Sequence, residues 1–153
     1  MFTIGLIEPQ IPPNTGNIAR LCAATNTKLE IVGNIGFELT DKYLKRAGLD
    51  YWKYVNWEYF PSVEDYISKI CTEKLHLLTT KVDTSYTSVE FNDGDYLLFG
   101  SETSGIDEQY LRRYQDRCRT IPTSKEGVRS LNLSSSAAIV LYEALRQTQW
   151  TTL

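Results

Sequence analysis

A parallel β-sheet with helices on both faces is the α/β fold class that this sequence predicts, and three observations carry the prediction. Short apolar runs such as Leu75 to Thr80 and Tyr96 to Gly100 end in polar or glycine positions, as strands do when both faces of a sheet are covered. Between them lie stretches with apolar residues spaced three and four apart, the signature of helices. The chain has 153 residues and 42% apolar content, with ten Tyr, five Phe and three Trp, which supplies the core of a single domain over 1–153.

Phe2 to Ile7 reads as a buried strand. Glu8 to Pro13 contains three prolines and is predicted to be a stiff loop, because proline removes a donor and clashes inside a helix. Asn14 or Thr15 then caps a helix whose inward stripe is Ile18, Leu21, Cys22 and Thr25. Lys28 to Val32 is a second strand, and Thr40 caps a short helix through Ala47 that Gly48 ends. Trp52 to Phe60 alternates weakly as a strand, and Ser62 with Asp65 opens a helix running to about Cys71. After the two apolar runs come a helix from about Asp107 to Tyr114, a strand around Arg119 to Pro122, and a helix from about Asn132 to Gln149. There is no repeat and no linker.

Composition excludes several classes. No apolar run approaches the roughly 20 residues needed to span a bilayer, and the start of the chain lacks the basic-then-apolar layout of a leader, so a cytoplasmic protein without a membrane partner is expected. Cys22, Cys71 and Cys118 are far apart and form no C-x-x-C pair, which fits a reducing compartment. The one histidine, His76, sits in an apolar run, which argues against histidine acid–base chemistry and against a metal site. The net charge of −3 opposes a chain that coats nucleic acid over its whole surface. Basic residues do gather locally, in Lys42, Lys45 and Arg46 and in Arg112, Arg113, Arg117 and Arg119, with Lys125 and Arg129 close behind; solvated helix faces account for each group equally simply.

In open parallel sheets, ligands bind beyond the carboxyl ends of the strands. Three loops with unusual chemistry fall there: Glu8 to Asn17, Gly100 to Gly105, and Ile121 to Ser136. Gly100 to Gly105 has the G-x-x-x-x-G skeleton of a phosphate loop, but Ile106 and Asp107 stand where Lys and Ser or Thr would be needed. No G-x-G-x-x-G occurs, which disfavours a dinucleotide oxidoreductase. Two glycines around Glu102 suit a tight turn beside a ligand, or a turn that is purely structural. From Ile121 to Ser136 a polar loop enters a helix whose first turn is rich in small hydroxyl residues, where free N–H groups favour an anion; an elaborate cap is the alternative.

Taken together, Ile11-Pro12-Pro13-Asn14-Thr15-Gly16-Asn17-Ile18-Ala19-Arg20, Leu98-Phe99-Gly100-Ser101-Glu102-Thr103-Ser104-Gly105 and Arg129-Ser130-Leu131-Asn132-Leu133-Ser134 resemble the three motifs of the SPOUT, or α/β-knot, RNA methyltransferases. Arg46 to Tyr51, Leu78 to Lys81, Asp93 to Tyr96 and Tyr142 to Ala144 extend the resemblance over nearly the whole chain. It is greatest to the minimal branch that methylates the ribose 2′-hydroxyl of the tRNA wobble cytidine or uridine.

The resemblance implies a Rossmann-like sheet with a C-terminal trefoil knot, which general rules of chain topology would not suggest. It implies S-adenosylmethionine as cofactor and S-adenosylhomocysteine as product, with a pocket at Leu78, Thr79, Gly100, Glu102, Ile121, Pro122, Ser130 and Leu131. It also implies a tRNA substrate and a homodimer with the active site at the interface, and no metal. Asn14, Arg129, Asn132 and Tyr142 match positions near the nucleotide, Tyr142 at a spacing that also suits interface packing. Arg20 matches the residue assigned to activating the 2′-hydroxyl; a guanidinium stays protonated at neutral pH, so stabilising the forming alkoxide or gripping a phosphate suits it better than acting as base. Ser101 and the Thr123 to Val128 loop depart from the family pattern at the pocket rim. Methylation of another tRNA position or of ribosomal RNA, and a catalytically silent RNA-binding module, stay open as alternatives.

Overall fold

A computed structural model of the chain describes residues 1–39, 51–124 and 126–153. Six strands, β1 (Thr3–Ile7), β2 (Lys28–Val32), β3 (Trp57–Phe60), β4 (Leu75–Leu78), β5 (Tyr96–Phe99) and β6 (Cys118–Arg119), form one sheet in the order β3-β2-β1-β5-β4-β6. All of its pairings are parallel; Ile4, for example, lies opposite Leu29 on one side and Leu97 on the other. The α-helices among the described residues are α1 (Pro12–Ala24), α2 (Val63–Ser68), α3 (Glu108–Arg113) and α4 (Leu133–Gln147). The chain winds outward from β1 to β3, crosses to β4, steps inward to β5 beside β1, and ends the sheet at β6 outside β4, so that the connections leaving β1 and β5 run in opposite directions. This reversal between β1 and β5 opens a crevice beyond their carboxyl ends.

Strand alternation sends each side of the sheet into its own apolar layer. Phe2, Ile4, Leu6 and Leu97 pack against Ile18, Ala19 and Cys22 of α1 and Val140, Leu141 and Ala144 of α4. Ile7, Leu75, Leu77 and Leu98 take Tyr66 and Ile67 of α2 with Tyr110 and Leu111 of α3 on the opposite face. At the sheet centre a Cβ on Gly5 would lie 2.4 Å from Leu98 Cδ2 and 2.9 Å from the Tyr66 oxygen. The bare backbone leaves room for Tyr66 to donate to the buried Glu30 carboxylate at 2.5 Å, which Lys28 also meets at 2.6 Å. Burial, and then the Glu30 charge, push the Tyr66 phenol far above its ordinary value, so it remains a donor.

The expected fold class holds, and several boundaries move. α1 begins at Pro12 rather than after Pro13, with Ile11 as its N-cap and neither Asn14 nor Thr15 in that role. Prolines are tolerated at the first two helical positions because those N–H groups have no partner within the helix. Trp52 to Phe60 splits into a 3₁₀ turn, Trp52–Tyr54, and the shorter strand β3. α2 stops at Ser68, with Ser62 accepting from the Asp65 N–H as predicted. The strand expected around Arg119 to Pro122 is only Cys118–Arg119, continued by a bridge from Thr120 to Ser85. The helix expected over Thr40 to Ala47, Gly48 as its end, and Lys42, Lys45, Arg46 and Lys125 lie outside the described residues.

Candidate active site

A cavity of about 420 Å³ occupies the crevice beyond β1, β4 and β5, a size suited to a small organic cofactor. Its floor is Leu78 and Thr79 from the end of β4, with Phe99 and Gly100 from the end of β5. The turn from Ser101 to Gly105 makes one wall, Ile121 and Arg129 to Leu133 another, and Ile11 with Asn14 closes it at the start of α1. Apolar surface and hydroxyl groups alternate around the lining, which fits a ligand with a flat apolar part and several polar ends.

The structure therefore brings together Leu78, Thr79, Gly100, Glu102, Ile121, Ser130 and Leu131, and places Asn14, Arg129 and Asn132 on the same cavity. Pro122 is exposed and outside the lining. Arg20 and Tyr142 are outside it as well. Arg20 is exposed on α1, beside a shallow groove that it shares with Asn17, Leu21, Ser134, Ser135 and Ala138, and it makes no ion pair with the described residues. Tyr142 is 47% exposed on α4 and meets the Trp150 ring at 5.8 Å.

Two features of the site take their physical reason from the structure. Gly100 has no space for a side chain, since a Cβ there would lie 2.1 Å from Gly105 C and 2.2 Å from Ile106 N. The neighbour that demands glycine is thus the turn's own returning backbone, drawn back by a Gly105 N–H to Ser101 carbonyl bond of 2.9 Å. The second feature joins residues at opposite ends of the chain. Asn132 caps α4, its Oδ1 accepting from the N–H groups of Ser134 (2.9 Å) and Ser135 (3.4 Å) and from the Ser134 hydroxyl (2.6 Å). Its amide nitrogen must then be the donor, and it meets Asn14 Oδ1 at 3.0 Å. Asn14, 6% exposed and part of the cavity lining, keeps Nδ2 as a donor without a partner among the described residues. A ligand atom that satisfies it has to be an acceptor.

The Arg112 to Arg119 cluster is spent on the fold. Arg112 and Lys81 both pair with Glu108, and Arg113 pairs with Glu64 at 2.8 Å. Arg117 donates to the Leu75 and Glu73 carbonyls, and Arg119, 5% exposed, donates to the Asp116 and Cys118 carbonyls. Burial, ahead of the like charge on Arg117, lowers the Arg119 pKa. His76 is buried too, with Nε2 2.9 Å from Asp95 Oδ2, away from the cavity lining. Among the described residues, no group of three or more His, Cys, Asp or Glu is placed to hold a metal ion, and no helix is long and apolar enough to cross a membrane.

The fold is that of the knotted α/β, or SPOUT, methyltransferase class, to which solved structures of like fold belong. A solved structure described as concerning "the 2-OH methylation of C/U34 on tRNA" superposes with a TM-score of 0.88 at 36% identity, covering 97% of each chain. The SpoU methyltransferase AviRb from Streptomyces viridochromogenes, solved in complex with AdoMet, shares the fold at a TM-score of 0.77 and 22% identity, over 96% of this chain and 60% of that one. The tRNA (cytidine(34)-2′-O)-methyltransferase of Methylovorus glucosotrophus is 45% identical, over 96% of this chain and 96% of the relative. The chain belongs to the SpoU rRNA Methylase family, whose profile matches residues 1–142.

Proposed function

We propose that this chain is one SPOUT domain over 1–153 that transfers a methyl group from S-adenosylmethionine to the ribose 2′-hydroxyl of the wobble cytidine or uridine of tRNA, with S-adenosylhomocysteine as second product. The observation that carries the proposal is the convergence of three distant motifs on one cavity, in a chain 45% identical over nearly its whole length to a tRNA (cytidine(34)-2′-O)-methyltransferase. The lining fits the cofactor: apolar Leu78, Ile121 and Leu131 suit the nucleoside, and Thr79 and Ser130 suit its polar groups. When bound there, it supplies an electrophilic methyl carbon on a sulfonium.

The new bond runs from O2′ to the methyl carbon, the carbon–sulfur bond breaks, and the leaving group is a neutral thioether. What the protein contributes is alignment and management of the hydroxyl proton, which passes to solvent. Arg20 stabilises the forming alkoxide or holds the adjacent phosphate. Asn14, Arg129, Asn132 and Tyr142 are the residues assigned to contacts with the nucleotide in this reading, and no metal takes part.

A homodimer with the site at its interface agrees with two observations. Arg20 lies on α1 outside the cavity of its own chain, so a second copy can present its arginine there. The outward side of α4 exposes Ile139 (37%) and Tyr142 (47%) beside Trp150 (42%), an apolar surface of the kind that subunits bury. We place the enzyme in the cytoplasm, with its tRNA. The direct test is transfer from labelled S-adenosylmethionine to tRNA lacking the modification, followed by nuclease digestion and mass spectrometry. A 2′-O-methyl nucleotide at the wobble position is expected. Label elsewhere in the tRNA or in ribosomal RNA replaces the substrate, and no transfer despite cofactor binding sinks the enzymatic reading.

A further inference from the structure

The helix that carries Asn14 and Arg20 starts without a side-chain cap: Ile11, at the N-cap, has no acceptor side chain, Pro12 and Pro13 carry no N–H, and the Asn14 N–H donates to the Ile11 carbonyl at 3.1 Å. The peptide groups just ahead of it are held from another loop. Gln10 N–H donates to Glu102 Oε2 at 2.8 Å, and Ile11 N–H donates to Oε1 at 3.3 Å, so one carboxylate spans both peptide groups just ahead of α1. Its negative charge also lies at the end of the helix where the macrodipole favours it.

Glu102 can act as a strut because its own turn is held. The Ser101 and Thr103 hydroxyls are 3.1 Å apart, Thr103 N–H donates to Ser101 Oγ, and Gly105 N–H closes onto the Ser101 carbonyl. The far side of the Gln10 turn is held as well: its side-chain amide donates to the carbonyls of Glu8 (2.8 Å) and Asn34 (3.2 Å). Glu8 itself sits at φ 52°, a conformation that costs a non-glycine residue free energy and persists only where its surroundings impose it. The β1–α1 turn is thus clamped between two loops, and one of them is the cavity wall.

We propose that Glu102 is a positioning residue for methyl transfer: its carboxylate fixes the start of α1, and with it Asn14 and Arg20, against the loop that walls the cofactor cavity. Its weight falls on the geometry of transfer and little of it on cofactor affinity. The inference rests on the methyltransferase reading above.

Glu102→Ala removes both acceptors; Glu102→Gln keeps the shape and one acceptor. Three quantities separate the possibilities: S-adenosylmethionine affinity by calorimetry without tRNA, single-turnover transfer at saturating cofactor and tRNA, and hydrogen exchange at the amides of Gln10 and Ile11. Affinity within a few-fold of wild type is expected for both variants, together with a loss of about 10²-fold in transfer rate for Ala and a smaller loss for Gln, since small misplacements cost that much. Faster exchange at the two amides should accompany the loss. Cofactor affinity weakened tenfold or more, with the rate restored at saturation, would make Glu102 a cofactor contact and overturn the proposal; an unchanged rate in both variants does the same. If Ala does not fold, the isosteric Gln carries the test. Failure of wild type to transfer methyl is read separately, as failure of the underlying function.

Discussion

Replacing Gly100 with alanine puts a methyl carbon 2.1 Å from Gly105 C, 2.2 Å from Ile106 N and 2.7 Å from Gly105 Cα. Carbon atoms in contact rest about 3.5–4.0 Å apart, so the overlap exceeds an ångström against two main-chain atoms. Neither can swing away as a side chain can: Gly105 is bonded to the Ser101 carbonyl at 2.9 Å, and Ile106 is 2% exposed in the apolar layer under α3. Relief requires the turn to move as a body, which places the cost at the upper end of overpacking, about 3 kcal/mol. For a chain of this length that lowers the thermal midpoint by roughly 6–12 °C. Because the displaced turn is a cavity wall, S-adenosylmethionine affinity should fall with it.

Two other glycines calibrate the measurement. Gly105→Ala enters open space at φ +67° and should cost only the left-handed penalty of about 1–2 kcal/mol. Gly5→Ala meets two side chains, Leu98 and Tyr66, that can shift. Differential scanning calorimetry with cofactor titration on the three variants gives the ranking. A Gly100→Ala midpoint within about 2 °C of wild type, or no weaker than that of Gly105→Ala, would refute the backbone-crowding argument.

Arg20→Ala should abolish transfer while leaving cofactor binding intact, because Arg20 lies off the cavity; near-normal turnover removes it from the mechanism. Ile139→Glu places a charge on the exposed side of α4 and should shift sedimentation from dimer to monomer with loss of transfer, whereas a persistent active dimer would locate the interface elsewhere. His76 gives a pH signature. Burial holds its imidazole below the ordinary value despite the opposing pull of Asp95, so below about pH 6.5 the unfolded chain takes up a proton that the folded chain refuses. The associated stability is complete above that pH and is lost as pH falls toward the folded-state value. Urea midpoints from pH 8 to 5 should therefore decline less in His76→Gln, and equal slopes would exclude His76 as the source.

Legibility in the sequence followed the range of the interactions. Ser62 with Asp65, and Asn132 before its apolar stripe, announce helix starts because capping is local, and both appear where expected. Pro12 and Pro13 misled for the same reason: the rule against proline in a helix interior says nothing against the first turn. The strand expected around Arg119 to Pro122 is present but shorter and shifted, at Cys118–Arg119, because the extent of an edge strand depends on its neighbours. In the site, motif residues pointed to the cavity, but their partners did not show. Asn14 and Asn132 are 118 positions apart, and Glu102 is tied to peptide N–H groups, which every residue except proline carries. The arginine cluster looked like a patch because Glu64, the partner of Arg113, is 49 positions away.

The shortness of β6 has a bearing on how copies of this chain can meet. A sheet edge recruits another chain through a row of unpaired peptide groups, and Cys118–Arg119 offers only two residues of such a row. The opposite edge, β3, is four residues long and carries Glu58, whose carboxylate is 3.0 Å from Lys28. Charge and brevity at the two borders disfavour uncontrolled strand-on-strand growth into aggregates. The dimer proposed above, formed through the outer surface of α4, would by contrast be self-limiting and close on itself.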